Sequence, residues 1–140
     1  MSRKYKFANP EGFYFVSFAV VYWMDVFTRD EYCRIILADL KYSQEHKGME
    51  IYCWCIMPSH IHLIFKAKNN DPAELPGKFK AHTSKTVRNA IEENKTENRR
   101  EWLLWMMARA AAKNSSVLLR HGSQTRASNW VLFIPQPIKH

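Results

Sequence analysis

The sequence predicts an α+β fold in which an antiparallel sheet of about four strands has its helices on one face. Residues 13–23 are rich in Phe, Tyr and Val, which predicts a strand buried on both faces. Residues 50–57 and 60–66 are two more strand-like segments with only a proline and a serine between them, which predicts a tight antiparallel hairpin. Residues 130–134 are a candidate for one further short strand, and the prolines after them would end it.

The first helix is predicted over residues 29–47. Apolar residues recur there at helical spacing, and Thr28 and Glu31 form the pattern of a capping box just before it. Gly48 is well placed to end this helix in the left-handed conformation.

Two further helices are predicted after the hairpin. Because Pro76 and Gly77 interrupt the helical pattern, the first of them is expected over residues 78–94, and the second follows over residues 100–113. The residues expected to face the core are Phe79, Val87 and Ile91 on the former and Trp102, Trp105, Met106 and the alanines on the latter.

Composition limits the classes of protein to which the chain can belong. The 140 residues carry a formal net charge of +8, which favours a polyanionic partner such as nucleic acid. No apolar run approaches the ~20 residues that a membrane-spanning helix needs. The three cysteines are an odd number and no export signal precedes them, which fits a reducing compartment. We therefore expect a cytoplasmic nucleic-acid-binding protein without a membrane segment.

The character of the chain changes near residue 116. No acidic residue follows Glu101, and residues 120–140 show neither helical periodicity nor alternation. We therefore predict one truncated domain over residues 1–116 and an atypical tail of low order over residues 117–140.

His60 and His62 are the strongest candidates for metal ligands. Residues two apart on a strand point to the same face, so both imidazoles can turn toward one point while Ile61 faces the core. Two neutral imidazoles are a good start for a divalent metal site, which then needs a third ligand from elsewhere. The alternative is that they are merely two polar residues on a half-exposed strand.

Residues 53–64, CWCIMPSHIHLI, resemble the signature of the IS200/IS605 superfamily of HUH-type single-tyrosine transposases. Supporting matches lie at residues 13–18 (FYFVSF), 26–29 (VFTR) and 79–85 (FKAHTSK). Residues 99–104 (RREWLL) are similar to a segment of the branch of REP-associated tyrosine transposases. The similarity covers approximately residues 5–116.

The resemblance implies a ferredoxin-like HUH nuclease fold and DNA transposition by cleavage and rejoining of single-stranded DNA that carries a hairpin. His60, His62 and one further polar ligand would hold Mg²⁺ or Mn²⁺, which polarises the scissile phosphate as a Lewis acid. In relatives a tyrosine on a later helix attacks and forms a 5′-phosphotyrosine intermediate. Many members share the active site across a dimer, so a homodimer is expected.

No tyrosine in this sequence follows His60, so we assign no catalytic residue. The six tyrosines are Tyr5, Tyr14, Tyr22, Tyr32, Tyr42 and Tyr52. Tyr14, Tyr22 and Tyr52 fall on predicted strands and Tyr32 and Tyr42 on the first helix, and each of these five is expected to be buried or half-buried in packing. One hypothesis is that the natural reading frame was lost within residues 115–119. Translation of the downstream DNA in the other two frames would reject it if neither gave a tyrosine-bearing helix.

Lys78, Lys80, Lys85 and Arg88 are the candidate DNA-binding residues. Their spacing puts several cations on one face of a helix, where they can contact phosphates. The alternative is an ordinary solvated helix face.

Cys53 and Cys55 share one face of a strand and are expected to be buried as small hydrophobic residues. A zinc site that combines them with His60 or His62 requires one particular register of the hairpin.

Three hypotheses for the function remain open: a working transposase with an unrecognised nucleophile, an inactive remnant that still binds hairpin DNA, and an unrelated metal-binding protein.

Overall fold

The computed structural model describes residues 11–68, 72, 74–119 and 133–135. Its elements in chain order are β1 (Phe13–Val20), α1 (Asp30–His46), β2 (Met49–Ile56), β3 (His60–Ala67), α2 (Glu74–Glu93), α3 (Arg100–Leu119) and β4 (Phe133–Pro135). The four strands form one antiparallel sheet in the order β2-β3-β1-β4.

The connectivity is that of a ferredoxin-like β-α-β-β-α-β unit, with α3 added before the last strand. β2 and β3 form a tight hairpin, in which the backbone N–H of Met57 donates to the carbonyl oxygen of His60 at 2.8 Å. The predicted α+β fold with about four antiparallel strands is therefore confirmed, and so is the hairpin.

The hydrophobic core lies between one face of the sheet and the helices α1 and α2. On β3, Ile61, Leu63 and Phe65 are buried. The rings of Phe18 on β1 and Phe79 on α2 are 5.3 Å apart, so α2 covers this face of the sheet. The helical residues in the same core include Tyr32, Ile36 and Leu40 of α1 and Phe79, Val87 and Ile91 of α2. The core residues predicted for α2 are confirmed, and the other face of β3 carries His60 and His62.

β1 is shorter than predicted and is not buried on both faces along its length. It ends at Val20, after which the chain turns through Tyr22 and Trp23, whose φ angles are 55° and 54°. The left-handed conformation costs a residue other than glycine roughly 1–2 kcal/mol. Phe13 and Phe15 are exposed, because α1 and α2 cover only the opposite face of the strand. The prediction of burial on both faces was wrong for this half of β1.

The capping box predicted for α1 does not form. Arg29 occupies the N-cap position with an extended backbone and no side-chain cap, and the hydroxyl of Thr28 donates to the carbonyl oxygen of Asp25 instead. Asp30 and Glu31 lie in the first turn, where negative charge is favourable to the helix dipole. Gly48 adopts a φ of 68°, as predicted for the residue that ends this helix.

α2 begins at Glu74 and continues through Pro76 and Gly77, so the predicted start at residue 78 was wrong. Pro76 lies in the first turn, where a backbone N–H has no acceptor inside the helix and its loss has little cost.

α3 buries only part of the predicted apolar side: among the predicted residues Ala110 is buried and Met106 is half-buried against the core. Leu103, Met107 and Ala110 are buried at helical spacing, whereas Trp102 and Trp105 are 48% and 56% exposed. Apolar residues lie on several sides of this helix, so periodicity did not distinguish the face that packs against α2 and the turn after β1.

β4 pairs with β1 and lies within the segment predicted as an atypical tail. Pro135 is part of this strand and pairs with Phe18, although the prolines were expected to end it. An edge strand tolerates proline, because only one side of it must donate N–H groups to a neighbour. Residues 120–132 and 136–140 of the predicted tail lie outside the described residues. No helix in the described part of the chain is long and apolar enough to cross a bilayer.

Candidate metal centre and nucleic-acid interface

His60 and His62 lie side by side on the open face of the sheet. They alternate along β3 with the buried Ile61 and Leu63, so both imidazoles stand on the face opposite the helices. Their ring centroids are 4.9 Å apart and the ring planes are nearly perpendicular, at 81°. The structure thus brings the two predicted metal ligands together.

A hydroxyl group stands beside the Nδ1 atom of each imidazole. The Oγ of Ser17, which is the register partner of His62 on β1, lies 2.6 Å from the His62 Nδ1. The Oγ of Ser59 lies 3.2 Å from the His60 Nδ1. These contacts orient both rings and leave both Nε2 atoms for a ligand, in the way that outer hydrogen bonds orient metal-binding histidines.

The environment of His62 favours its neutral form. Burial lowers the pKa of this imidazole, and the neighbouring His60 lowers it further when charged. A metal ion binds the neutral imidazole, so this shift of the pKa favours metal binding at neutral pH.

The two imidazoles fit part of a divalent metal shell. Within the described ranges, no group of three His, Cys, Asp or Glu side chains converges on one point. Water and phosphate oxygens would therefore supply the remaining ligands beside the two Nε2 atoms.

The cysteines were expected to be buried and are instead exposed on the edge strand β2. Cys55 pairs with His62 and Cys53 with Ile64, so the hairpin adopts the register that places these cysteines and the histidines on one face. Although the register allows a mixed zinc site, the side chains of the described residues do not form a three-ligand group.

The candidate DNA-binding residues on α2 divide into two groups. Lys78, Lys85 and Arg88 are exposed, and Lys78 pairs with Glu74 at 3.2 Å. Lys80 is only 6% exposed, because it lies on the side of α2 that packs into the protein. The three cations whose spacing predicted a shared face are therefore exposed, whereas the burial of Lys80 argues against it as a phosphate contact.

Burial of Lys80 gives a prediction about the pH dependence of stability. Burial lowers the pKa of this amine from 10.5 to about 8, so the folded chain loses the proton at lower pH than the unfolded chain. Between these two values the unfolded state binds more protons, and the free energy of unfolding rises with pH by up to about 1.4 kcal/mol per pH unit. We expect urea unfolding to show this rise in the wild type and to lack it in Lys80→Met. The same pH dependence in both proteins would contradict the prediction.

The cationic residues of α2 and the histidine pair lie on opposite sides of the sheet. α2 packs on the face that contains Phe18, while the neighbouring Ser17 contacts His62 on the other face. A single DNA molecule that touches both surfaces must therefore pass around an edge of the sheet.

The described tyrosines differ in exposure more than predicted. Tyr32 is buried, with its hydroxyl donating to Glu97 at 3.1 Å, and Tyr14 is half-buried. Tyr22, Tyr42 and Tyr52 are exposed, and Tyr22 lies in the left-handed turn after β1 rather than on a strand. The expectation that each tyrosine packs in or beside the core was wrong for these three.

The fold and the site together define a ferredoxin-like protein with a histidine pair on its open sheet face. The family model described as "Transposase IS200 like" matches residues 14–117, which is most of the chain. The chain therefore belongs to the IS200-like transposase family. No curated protein sequence matches the chain significantly.

Proposed function

We propose that this chain binds single-stranded DNA carrying a hairpin, and that His60 and His62 hold a Mg²⁺ or Mn²⁺ ion at which one DNA phosphate docks. The observation that carries the proposal is the arrangement of the two imidazoles, held 4.9 Å apart on an open sheet face with a hydroxyl beside each Nδ1. The family membership supports dependence on a divalent metal and a DNA partner.

Each residue of the site has a distinct task in this proposal. The Nε2 atoms of His60 and His62 bind the ion, and Ser17 and Ser59 hold the rings in position. A bound divalent ion supplies Lewis-acid polarisation of a phosphate oxygen. The lowered pKa of His62 keeps its imidazole neutral and available at neutral pH.

The exposed cations of α2 contact a part of the DNA that does not reach the histidines. Lys85 and Arg88 are exposed one helical turn apart, and Lys78 lies two turns before Lys85 on the same side of the helix. Since these residues are on the far side of the sheet from the histidines, we assign the hairpin stem to α2 and the unpaired flank to the open sheet face.

We propose that this chain binds its DNA without cutting it, because the sequence holds no tyrosine after His60. A working transposase is the second candidate, and one observation favours it. Tyr22 is exposed in the left-handed turn next to Trp23, whose ring is 5.7 Å from that of His60. The family match argues against the third hypothesis, a metal-binding protein from an unrelated family.

Three further expectations remain proposals. The cytoplasm is the expected location of the protein, and a homodimer is its expected assembly. A domain boundary near residue 116 stays a proposal, and both α3 and the pairing of β4 with β1 continue beyond it.

The proposed role of α2 predicts how DNA binding depends on salt. Each phosphate contact contributes about 0.7–0.9 to the slope of log affinity against log salt concentration. We therefore expect the Lys85→Ala, Arg88→Ala double variant to bind a hairpin with a single-stranded flank more weakly and with a slope smaller by about 1.5. Fluorescence anisotropy of a labelled hairpin at several salt concentrations measures both quantities.

Lys95→Ala is the matched control, because Lys95 is exposed in the connector between α2 and α3 and not on this face of α2. It removes one positive charge, half of what the double variant removes, and should change the slope by less than half as much. Equal slopes for the wild type and the double variant would remove α2 from the proposed interface.

A further inference from the structure

Six rings form a ladder across the open face of the sheet, and we call them the ring ladder. In spatial order they are Trp23, His60, His62, Phe15, Phe13 and Tyr52. The ring centroids of Trp23 and His60 are 5.7 Å apart, and those of the two histidines 4.9 Å. Phe15 stacks on His62 at 5.4 Å with an interplanar angle of 18°. Phe13 contacts Tyr52 edge-on at 4.8 Å, and it stands beside Phe15 because residues two apart share a strand face.

The four rings of the ladder that are not histidines are largely open to solvent. Trp23 is 52% exposed, Phe15 45%, Phe13 64% and Tyr52 58%. Large aromatic side chains gathered on one open face mark an interaction surface, since scattered single exposure is the ordinary case. The ladder therefore fits a partner that offers a flat aromatic or apolar surface.

Charge identifies the chemistry of that partner. The Nζ of Lys66 lies 5.9 Å from the ring centroid of Phe13, and the whole chain carries a net charge of +8. Glu50, which accepts the hydroxyl of Tyr52 at 3.3 Å, is an acidic group at the same end of the ladder. Aromatic rings beside cations are the surface on which unpaired bases stack while the backbone phosphates meet positive charge.

The backbone at one end of the ladder is strained, and this strained conformation positions the indole of Trp23. Trp23 has a φ of 54° and follows Tyr22 with a φ of 55°, and its indole then stands edge-on to His60. Left-handed backbone at residues other than glycine occurs where surrounding structure imposes it, and such positions cluster at ligand-binding sites.

We propose that the ring ladder is a stacking platform for the unpaired bases on both sides of the phosphate that docks at His60 and His62. This inference rests on the proposed function, because the histidine pair lies inside the ladder and fixes where the phosphate sits. Trp23 receives a base on one side of that phosphate, and Phe15, Phe13 and Tyr52 receive bases on the other side. The ladder thus selects single-stranded DNA, since bases paired inside a duplex expose no ring face.

The test compares two labelled DNA hairpins, one with a single-stranded flank and one without, in binding to the full chain. The experiment is run in EDTA so that stacking is measured without the metal. We expect Phe13→Leu and Trp23→Leu each to weaken binding of the flanked hairpin by about tenfold, which corresponds to ~1.4 kcal/mol. Both variants should bind the unflanked hairpin like the wild type and should leave the salt dependence unchanged.

A substitution on the DNA makes the test specific for stacking. When the flank base that meets Phe13 is replaced by an abasic unit, the affinity of the wild type should fall about tenfold. The affinity of Phe13→Leu should not fall any further. Equal additional losses in both proteins would overturn the proposal, because the base and the ring would then act independently. Trp102→Leu is the matched control, because Trp102 is as exposed as Trp23 but lies on α3.

Two other outcomes are decisive. If Phe13→Leu converts a dimer to a monomer in sedimentation while its affinity for the flanked hairpin is unchanged, the ladder binds a second copy of the chain and the proposal fails. An unstructured oligothymidine separates this proposal from the proposed function. The protein could bind oligothymidine as well as it binds the hairpin, and Phe13→Leu could weaken that binding. This result would support the ladder and reject hairpin recognition.

Discussion

Replacing both His60 and His62 with alanine is expected to abolish the gain in DNA affinity that Mn²⁺ produces. The two imidazoles are the ligands that the proposal assigns, and within the described residues no group of three His, Cys, Asp or Glu side chains includes them. Anisotropy of the flanked hairpin in Mn²⁺ and in EDTA measures the gain. Binding in EDTA should fall much less, because α2 and the four rings of the ladder that are not histidines remain.

Two single substitutions sharpen this experiment. Ser17→Ala keeps both imidazoles but removes the hydroxyl 2.6 Å from the His62 Nδ1, and loss of such an outer partner typically weakens metal binding about 10–100-fold. Cys55→Ser changes the register partner of His62 on β2 and should have no effect on the Mn²⁺ gain. If the double histidine variant retained the gain, the metal site would lie elsewhere.

Replacing Glu97 with alanine is expected to produce the largest loss of stability, about 2–4 kcal/mol. Its carboxylate is fully buried and accepts from the Arg29 Nε at 2.8 Å, the Arg99 Nε at 3.2 Å and the Tyr32 hydroxyl at 3.1 Å. Removing one partner of a buried ion pair leaves the others uncompensated. Both arginines are about one-third exposed and can regain some water, so the loss should be below the top of the range for fully buried pairs.

The Glu97 carboxylate also predicts how the free energy of unfolding depends on pH in the acid range. Burial alone would raise the pKa of Glu97, but hydrogen bonds from the backbone and side chain of Arg99 and from Tyr32 outweigh it and hold this pKa below 4.5. A depressed pKa stabilises the fold above the unfolded value near 4.5, and this contribution disappears as the pH falls through the folded value. Glu97→Gln should flatten that part of the stability profile.

Urea unfolding near neutral pH and in the acid range measures both effects of Glu97. Glu101→Ala is the matched control, because Glu101 is exposed in the first turn of α3 and should change stability by less than about 0.5 kcal/mol. A Glu97→Ala protein as stable as the control would show that the arginines find other partners.

The sequence predicted the parts of the site that depend on local periodicity. Strand alternation alone placed His60 and His62 on one face and Ile61 on the other, and a two-residue connection is enough to define a hairpin. The α+β class followed from the same patterns, and the family resemblance supplied the ferredoxin-like arrangement.

The wrong predictions share a physical cause, which is that packing between elements decides them. Whether Lys80 or Lys85 faces solvent depends on how α2 is rotated against the sheet, and both lie on the same amphipathic helix. Similarly, Trp102 offers more apolar surface than Leu103, yet α3 buries the leucine. Phe13 and Phe15 are as apolar as core residues, and their exposure follows only from the absence of a described helix over that face of the sheet.

The most direct test of the central claim, that this chain holds DNA at His60 and His62 without cutting it, is a pair of gels on one reaction. The flanked hairpin, labelled at its 3′ end, is incubated with the full chain and Mn²⁺. We expect a complex on the native gel and only intact DNA on the denaturing gel. A covalent protein–DNA adduct on the denaturing gel would contradict the account, and its loss in Tyr22→Phe would identify the nucleophile.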